Sequence, residues 1–342
     1  MAARAGAHYA MKKWYPWLTT PYRQILTRYQ QERGPHALLL SSQEGNGEAS
    51  LCYALSRWLI CRQLDGIKSC GFCHSCRLMM AGNHPDFYQP EPEKGLRSLG
   101  VDSIRAIIDS LYFRANQGGV KVVLLLHSEL LTEQAANALL KILEEPPDDT
   151  YFLLVCQEPL RLLPTIKSRC LYWPLLVPDE ALVVPWLKKI VNHNADTART
   201  ALRLCSGAPL TAEFLLQPAR WHQRLALCAS LSAAITSGDM LSLLPALNHD
   251  EDDGPLHWLL TLITDALKWQ QGAQAFLIND DKPLLVSALA IRWTASVLHT
   301  QWQQWLHYLW QRQEVSSINN ELFIIHQLLN WEQGLVNACA QF

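Results

Sequence analysis

No excess of positive charge marks this sequence. Its 342 residues carry 29 Lys and Arg against 31 Asp and Glu, a formal net charge of −2. A protein that grips nucleic acid alone does so through clustered cations facing phosphates. The balance argues against that mode and leaves room only for a local basic strip within an assembly. No apolar run reaches the about 20 residues needed to cross a bilayer. The N-terminus lacks the apolar core of a secretory signal. Residues 1–10, rich in Ala and Gly, carry no pattern and read as a disordered extension, with Met11 the alternative start. Without an export signal, the ten cysteines point to a reducing cytoplasm, and to thiols or metal ligands rather than disulfides. At 49% hydrophobic, the chain has enough apolar residues for two or three domains with cores.

Apolar runs at 36–40, 122–126 and 151–155 have the length and composition of strands buried on both faces of a parallel sheet. A helix with Tyr22, Ile25, Leu26 and Tyr29 on one face precedes the first run and ends at Gly34. Another lies between the last two runs, with Thr132 as N-cap, Ala136, Leu139, Leu140 and Leu143 on one face, and Pro146 and Pro147 as its stop.

After 36–40 comes Ser41-Ser42-Gln43-Glu44-Gly45-Asn46-Gly47-Glu48-Ala49-Ser50, then a helix expected from Leu51. This is where a phosphate-binding loop, G-x-x-x-x-G-K-[ST], would stand. Gly47 is kept, but Ser42 replaces the first Gly, Glu48 the lysine and Ala49 the hydroxyl residue. A carboxylate repels a triphosphate, and a methyl group does not ligate Mg²⁺. The run 122–126 should end in Asp-Glu to hold Mg²⁺ and polarise water; it ends in Leu126 and His127, with Glu129 an acid out of place. Gly207-Ala208-Pro209-Leu210 also lacks the arginine that an active site of this type offers there. Three defects in one site argue against ATP hydrolysis.

The sharpest local chemistry is Cys61-x8-Cys70-x2-Cys73-x2-Cys76. Four thiolates over this span can close a tetrahedron around Zn²⁺ and leave no open position, which makes the site structural. A ferredoxin-type cluster would want another Cys three residues on, followed by Pro; Met80 and Ala81 stand there. His74 and His84 are substitute ligands that four cysteines make unnecessary. Cys52 lies outside the pattern and reads as a buried helix residue. His84 reads as a structural histidine, and 89–99 as an exposed loop. Lys94, Arg97, Arg105 and Arg114 are candidates to face DNA or another subunit, with a solvated face the default.

From Pro178 the pattern turns helical. Asp179 caps one helix, Asp196 or Thr197 a second that stops at Ser206-Gly207. Trp258, Trp269, Trp293, Trp302, Trp305, Trp310 and Trp331 must divide between core and interface. Breaks are expected near 237–239, 248–254 and 279–282.

Residues 135–147, AANALLKILEEPP, followed by Ser168-Arg169-Cys170, resemble the clamp-loader branch of the AAA+ ATPases. The four-cysteine spacing, Gly82-Asn83-His84-Pro85-Asp86-Phe87, Val101-Asp102-Ser103-Ile104-Arg105 and Asn319-Asn320-Glu321-Leu322 resemble the same family, so the likeness runs from Met11 to about Trp331. It implies an α/β AAA+-like domain at 11–177 (a parallel sheet with helices and a zinc-module insertion at 61–76), a small helical lid domain at 178–218 and an all-α collar domain at 219–342. The implied function is that of a subunit of the bacterial DNA polymerase III clamp loader, which places the sliding clamp on primed DNA. The implied partners are ATPase subunits of the gamma/tau type and a delta subunit, met through collar and AAA+ faces, with clamp and primer–template DNA in the assembled complex.

By the same resemblance Arg169, with Ser168 beside it, reaches the γ-phosphate of ATP bound by a neighbour. A guanidinium is always charged, planar and bidentate toward phosphate. Two other readings stay open: an atypical but active AAA+ ATPase, marked by ATP turnover of the chain alone, and a zinc-dependent nucleic-acid binder, marked by salt-steep DNA binding. The ATPase subunit of the same loader would keep the lysine and acidic pair missing here.

Overall fold

The computed structural model describes residues 13–92, 98–191, 193–249, 252–314 and 319–339. The extension expected at 1–10, Met11, Lys94 and Arg97 lie outside the described residues. The chain forms two compact units, Met1–Pro178 and Asp179–Phe342.

The first unit is built on strands β1 (Ala37–Ser41), β4 (Phe87–Tyr88), β5 (Lys121–Leu125), β6 (Thr150–Cys156) and β7 (Leu171–Pro174), with β2 (Leu64–Asp65) and β3 (Lys68–Ser69) in a separate antiparallel hairpin. The main sheet runs β4-β5-β6-β1-β7, and every neighbouring pair is parallel. Alternate side chains point to opposite faces. Ala37, Leu39, Val123, Leu125, Phe152 and Leu154 share one core with Ile104 and Leu111 of helix Val101–Leu111 and with Ala136, Leu139 and Leu143 of helix Glu133–Glu144. Leu38, Leu40, Val122, Leu124, Leu153 and Val155 are equally buried on the other face. Helix Glu48–Ile60 packs against β5 and β6 and buries Leu51 and Leu55. Because both faces are covered, the strands read as unbroken apolar runs.

The expected N-cap forms: Thr132 Oγ1 accepts from the Ala135 amide at 3.3 Å. The first helix, Thr19–Gln30, stops before Gly34 rather than at it. Gly34 serves space instead, since a Cβ there would fall 2.0 Å from Tyr29 Cδ1.

In the second unit, Asp179 Oδ1 accepts from the Ala181 amide at 2.9 Å and starts helix Glu180–Val191. The cap of the next helix, Ala195–Leu204, is neither Asp196 nor Thr197. Asn194 takes that place, its Oδ1 accepting from the Thr197 amide at 2.7 Å; an Asn two residues earlier offers the same short acceptor, which spacing alone does not separate. The lid helices are tied to the following domain: Thr200 Oγ1 donates to Asp280 at 2.6 Å, and Arg203 Nη1 donates to Leu277 O at 3.1 Å. These helices and the ones that follow them therefore fall within one compact unit.

Helices Pro218–Ser237, Gly254–Gln270, Pro283–Arg292, Ala295–Glu314 and Asn320–Cys339 make up most of the rest. Trp258, Trp293, Trp305 and Trp331 are buried, whereas Trp310 is 59% exposed. Beside this apolar core lies a buried polar knot. Arg224 donates to both oxygens of Asp281, each at 2.7 Å, and to Asn279 Oδ1 at 3.0 Å. Asp265 accepts from the amides of Ile278 and Asn279 at 2.9 and 2.7 Å and from Lys268 Nζ at 3.0 Å. Segment 278–281 is thereby bolted between two helices. Removing one partner of a buried pair strands the other charge. Arg224→Ala should lower the unfolding free energy of the full chain by about 3–5 kcal/mol, as read from a urea denaturation midpoint.

Candidate functional site

The loop after β1 keeps the geometry of a phosphate cradle. Gly45 and Gly47 have φ of 91° and 90°, in the left-handed region where a side chain is strained. The helix begins at Glu48, three residues before the expected Leu51, because Gly47 as N-cap lets its carbonyl accept from the Leu51 amide at 3.0 Å. The structure thus sets Glu48 and Ala49 in the first turn, where lysine and hydroxyl would meet phosphate and metal.

The chain's own residues fill the space around this loop. Tyr15, Trp17 and Leu18 are buried, and Tyr15 stacks on Trp17 with ring centroids 5.1 Å apart. Trp17 Nε1 donates to Asn46 O at 2.7 Å. A Cβ on Gly47 would lie 3.2 Å from both Tyr15 and Leu18. Burial pushes the Glu48 carboxyl up, against the amides of Glu48, Gly45 and Gly47, which favour its ionised form. The amides that would face phosphate face a carboxylate of the same chain. Glu48 Oε2 and both side-chain polar atoms of Asn46 are buried without a hydrogen-bond partner. Ser42 is buried, its hydroxyl turned to Gln43 O at 3.0 Å.

Leu126 follows β5 and His127 is exposed, so neither presents an acid to the loop. Glu129, placed out of register by the sequence, turns inward. It accepts from the Gln157 amide at 3.3 Å and lies 3.7 Å from His127 Nδ1. The Glu129 carboxylate beside it raises the His127 pKa against burial. Burial opposes ionisation of Glu129, yet the bonds from His127 and Gln157 bring its pKa down.

The four cysteines converge. Their Sγ atoms all lie within 4.8 Å of one another. Helix Glu48–Ile60 ends at Cys61, the β2–β3 hairpin returns the chain to Cys70, and Cys73 caps helix His74–Ala81. Amides of Cys70, Cys73 and Cys76 donate to Cys61, Cys70 and Cys73 sulfurs at 3.3, 3.3 and 3.4 Å. Such bonds favour thiolate. Burial alone would raise the Cys73 thiol, but the amides of Arg62 and Cys76 and the neighbouring thiols bring it down to about 6. An all-sulfur, tetrahedron-sized donor set fits one Zn²⁺ without a histidine. His84 is not among the donors. Its Nδ1 accepts from the Asp86 amide at 3.1 Å, while Asp86 accepts from the Asn116 and Gln117 amides at 2.7 and 2.8 Å. Cys52 is fully buried in its helix.

Arg169 is the last residue of helix Pro164–Arg169, and β7 follows it from Leu171 to Pro174. Pro164 presets the first helical φ, which makes the helix start there. Arg169 Nη1 donates to Thr165 O at 2.9 Å and to Ser168 Oγ at 3.4 Å, and Nη2 donates to the Glu144 carboxylate. Ser168 Oγ itself donates to Thr165 O at 3.0 Å. Sequence reasoning missed Glu144 and Asn46. Glu144 sits in the quoted 135–147 motif, but its partner is 25 residues away and no local pattern joins them. Arg105 and Arg114 are exposed, near the exposed rings of Tyr112 and Phe113 in the chain.

A parallel sheet with a glycine loop after an interior strand, β1, and helices of a lid after its last, defines an AAA+-type module. The model for "DNA polymerase III subunit delta', AAA+ ATPase lid domain" matches residues 178–217. Residues 18–177 match the family "DNA polymerase III, delta subunit", and 218–333 its C-terminal part. The chain is 53% identical over 327 residues to the DNA polymerase III subunit delta' of Yersinia pestis, covering 94% of this chain and 96% of the relative. It is 46% identical over 323 residues to that of Escherichia coli K12, with 94% and 96% covered. The chain belongs to the family of DNA polymerase III delta' subunits.

None of the described helices is long and apolar enough to cross a membrane.

The His127–Glu129 contact makes stability depend on pH in a defined direction. His127 titrates above its ordinary 6.5, so its contribution is full below 6.5 and fades as pH rises through the raised value. Glu129 titrates below its ordinary 4.5, so its contribution is full above 4.5 and fades as pH falls through the lowered value. The pair therefore contributes most between those two ordinary values. His127→Gln should unfold at lower urea than the parent at pH 6, and the gap should shrink at pH 9.

Proposed function

We propose that this chain is the clamp-loader subunit that turns over no ATP of its own and supplies Arg169, in trans, to ATP held by a neighbouring ATPase subunit. The supporting observation is strand polarity. The phosphate loop leaves β1 after Ser41, at the carboxyl edge of the sheet, while Arg169 enters β7 just before Leu171, at the opposite edge. In register, Leu38 pairs with Leu171 and Ser41 with Pro174. At about 3.3 Å per residue the two edges stand roughly 10 Å apart, with the sheet between them. Arg169 stands at the edge opposite the loop of its own chain, and on this reading the phosphate it serves belongs to another subunit.

On this reading the chain is a stator in a ring that also contains a delta subunit, works in the cytoplasm, and acts on clamp and primed DNA through the assembly. Its parts are the AAA+-like domain at 11–177, the lid at 178–218 and the collar at 219–342, which joins it to the other subunits. Glu48, Ala49, Leu126 and His127 argue against hydrolysis by its own loop. Ser168 orients Arg169 rather than touching phosphate.

The decisive experiment uses a clamp loader rebuilt with Arg169→Ala, its assembly checked by gel filtration, with clamp and primed DNA present. Turnover at the ATP site that Arg169 faces should fall on the order of a thousandfold, and clamp loading with it. Unchanged turnover in an assembled complex would reduce Arg169 to a surface residue.

The same reading gives the four thiolates one structural Zn²⁺, held by Cys61, Cys70, Cys73 and Cys76. The metal would tie the β2–β3 hairpin to the ends of two helices. A mercurial that titrates thiols should release one equivalent of zinc per chain to a metallochromic dye, and Cys73→Ser should lower both zinc content and melting temperature. Purified chain free of zinc, with parental melting in Cys73→Ser, would sink this assignment.

A further inference from the structure

The guanidinium of Arg169 is already engaged within its own chain. Three interactions hold it: Thr165 O and Ser168 Oγ on Nη1, and the Glu144 carboxylate on Nη2. Glu144 is the last residue of helix Glu133–Glu144, which packs on helix Pro164–Arg169. Both side chains reach solvent, Arg169 at 32% and Glu144 at 51% exposure. The pair sits at the amino edge of the sheet, where both helices hand over to strands.

We infer that Glu144 is a positioning residue that parks Arg169, and that the guanidinium must exchange Glu144 for phosphate when the neighbour's ATP is engaged. The inference rests on the reading of Arg169 as a finger in trans. Carboxylate and phosphate oxygens compete for the same charged donors. A carboxylate left in contact would also repel the triphosphate and cancel the charge that Arg169 brings. The two remaining contacts, Thr165 O and Ser168 Oγ, are neutral and can persist during the exchange. An exposed ion pair is weak, so a multiply charged phosphate displaces it readily. Before engagement, Glu144 holds the arginine in one rotamer and keeps the neighbour's site short of its last cation.

Glu144→Gln tests this, because it keeps size and an acceptor oxygen and removes the charge. In a rebuilt loader without clamp or DNA, Glu144→Gln should raise ATP turnover and lower KM for ATP, each by about two- to fivefold, the range an exposed pair spans. The clamp- and DNA-stimulated kcat should change little, since the pair is already broken there. In an Arg169→Ala background the same substitution should do nothing. A merely structural role would instead lower the melting temperature and act in both backgrounds. Glu144→Ala, which also removes the acceptor, should raise basal turnover in the same direction. If Arg169→Ala lowers turnover while Glu144→Gln leaves basal turnover and KM as they were, or lowers turnover, parking is overturned and the finger stands. If Arg169→Ala changes nothing, the finger reading fails and parking falls with it.

Discussion

Every chemically distinct part of the first unit takes its place from one constraint: all five strands of the main sheet point the same way. A parallel sheet has two unlike edges. At the carboxyl edge the chain leaves β1, β5 and β6 through Gly45–Gly47, Leu126 to Glu129, and Gln157. At the amino edge it enters β6 and β7 from helices that end at Glu144 and Arg169. Each parallel step needs a crossover connection, and helices Glu133–Glu144 and Pro164–Arg169 supply those that lead into β6 and β7. Interior strand β1, whose Ala37 to Leu40 are all buried, takes β6 on one side and β7 on the other. It fixes the phosphate loop and the Arg169 helix in one frame while keeping them at opposite ends.

Around that frame, several buried charges act as struts through the hydrogen bonds they make. Lys121 is buried at the start of β5, and its ammonium donates to Leu111 O and, at 3.0 Å, to Phe113 O, closing the end of helix Val101–Leu111. Asp86 gathers the amides of Asn116 and Gln117. Arg62, one residue past the first cysteine, donates to Gln117 O. The cysteine module is thus stitched to the same connection that Asp86 and Lys121 hold, and the exposed rings of Tyr112 and Phe113 stand on a well-supported segment. Arg224 and Asp265 play the same part in the second unit. Such groups are tolerated in the interior because desolvation is offset by several short bonds at once.

Much of this was legible in the sequence, because it depends on local patterns. The apolar runs at 122–126 and 151–155 are strands to within one residue. Thr132 and Asp179 cap as their positions suggest, and the cysteine spacing brings four sulfurs together. What was not legible depends on contacts distant in sequence or on choices between near-equivalent neighbours. Asn194 takes the cap from Asp196 because three short polar residues within four positions, Asn194, Asp196 and Thr197, offer the same kind of acceptor. The tryptophans divide between Trp305 in the core and Trp310 on the surface by helix phase against a partner the sequence does not specify. Arg169 was readable as a residue; its bond to Glu144 was not, since it joins the ends of two helices that meet only after the sheet has formed.

The phosphate loop poses the last physical question: what holds a cradle in shape without the lysine and hydroxyl residue of its motif. In an active site the left-handed glycines and clustered amides are organised around a bound phosphate. Here packing takes over that task. Tyr15 and Leu18 press on Gly47, and the Trp17 indole holds Asn46 O. The cradle is therefore conformationally locked and electrostatically unsuited at the same time. The Glu48 carboxyl meets the loop's own amides, with its ionised form disfavoured by burial, and the Asn46 side-chain amide finds no partner. Most buried polar groups in folded proteins are paired, so these two mark the place where the fold retains a ligand's geometry without its interactions. Restoring a lysine at position 48 would remove one repulsion only. Ala49 would still lack an oxygen for Mg²⁺, Leu126 would still lack a carboxylate, and the residues of 15–18 would still press on the loop. Positions 48, 49 and 126 thus differ from a lysine, a hydroxyl residue and a carboxylate independently of one another, and residues 15–18 hold the loop in shape by packing alone.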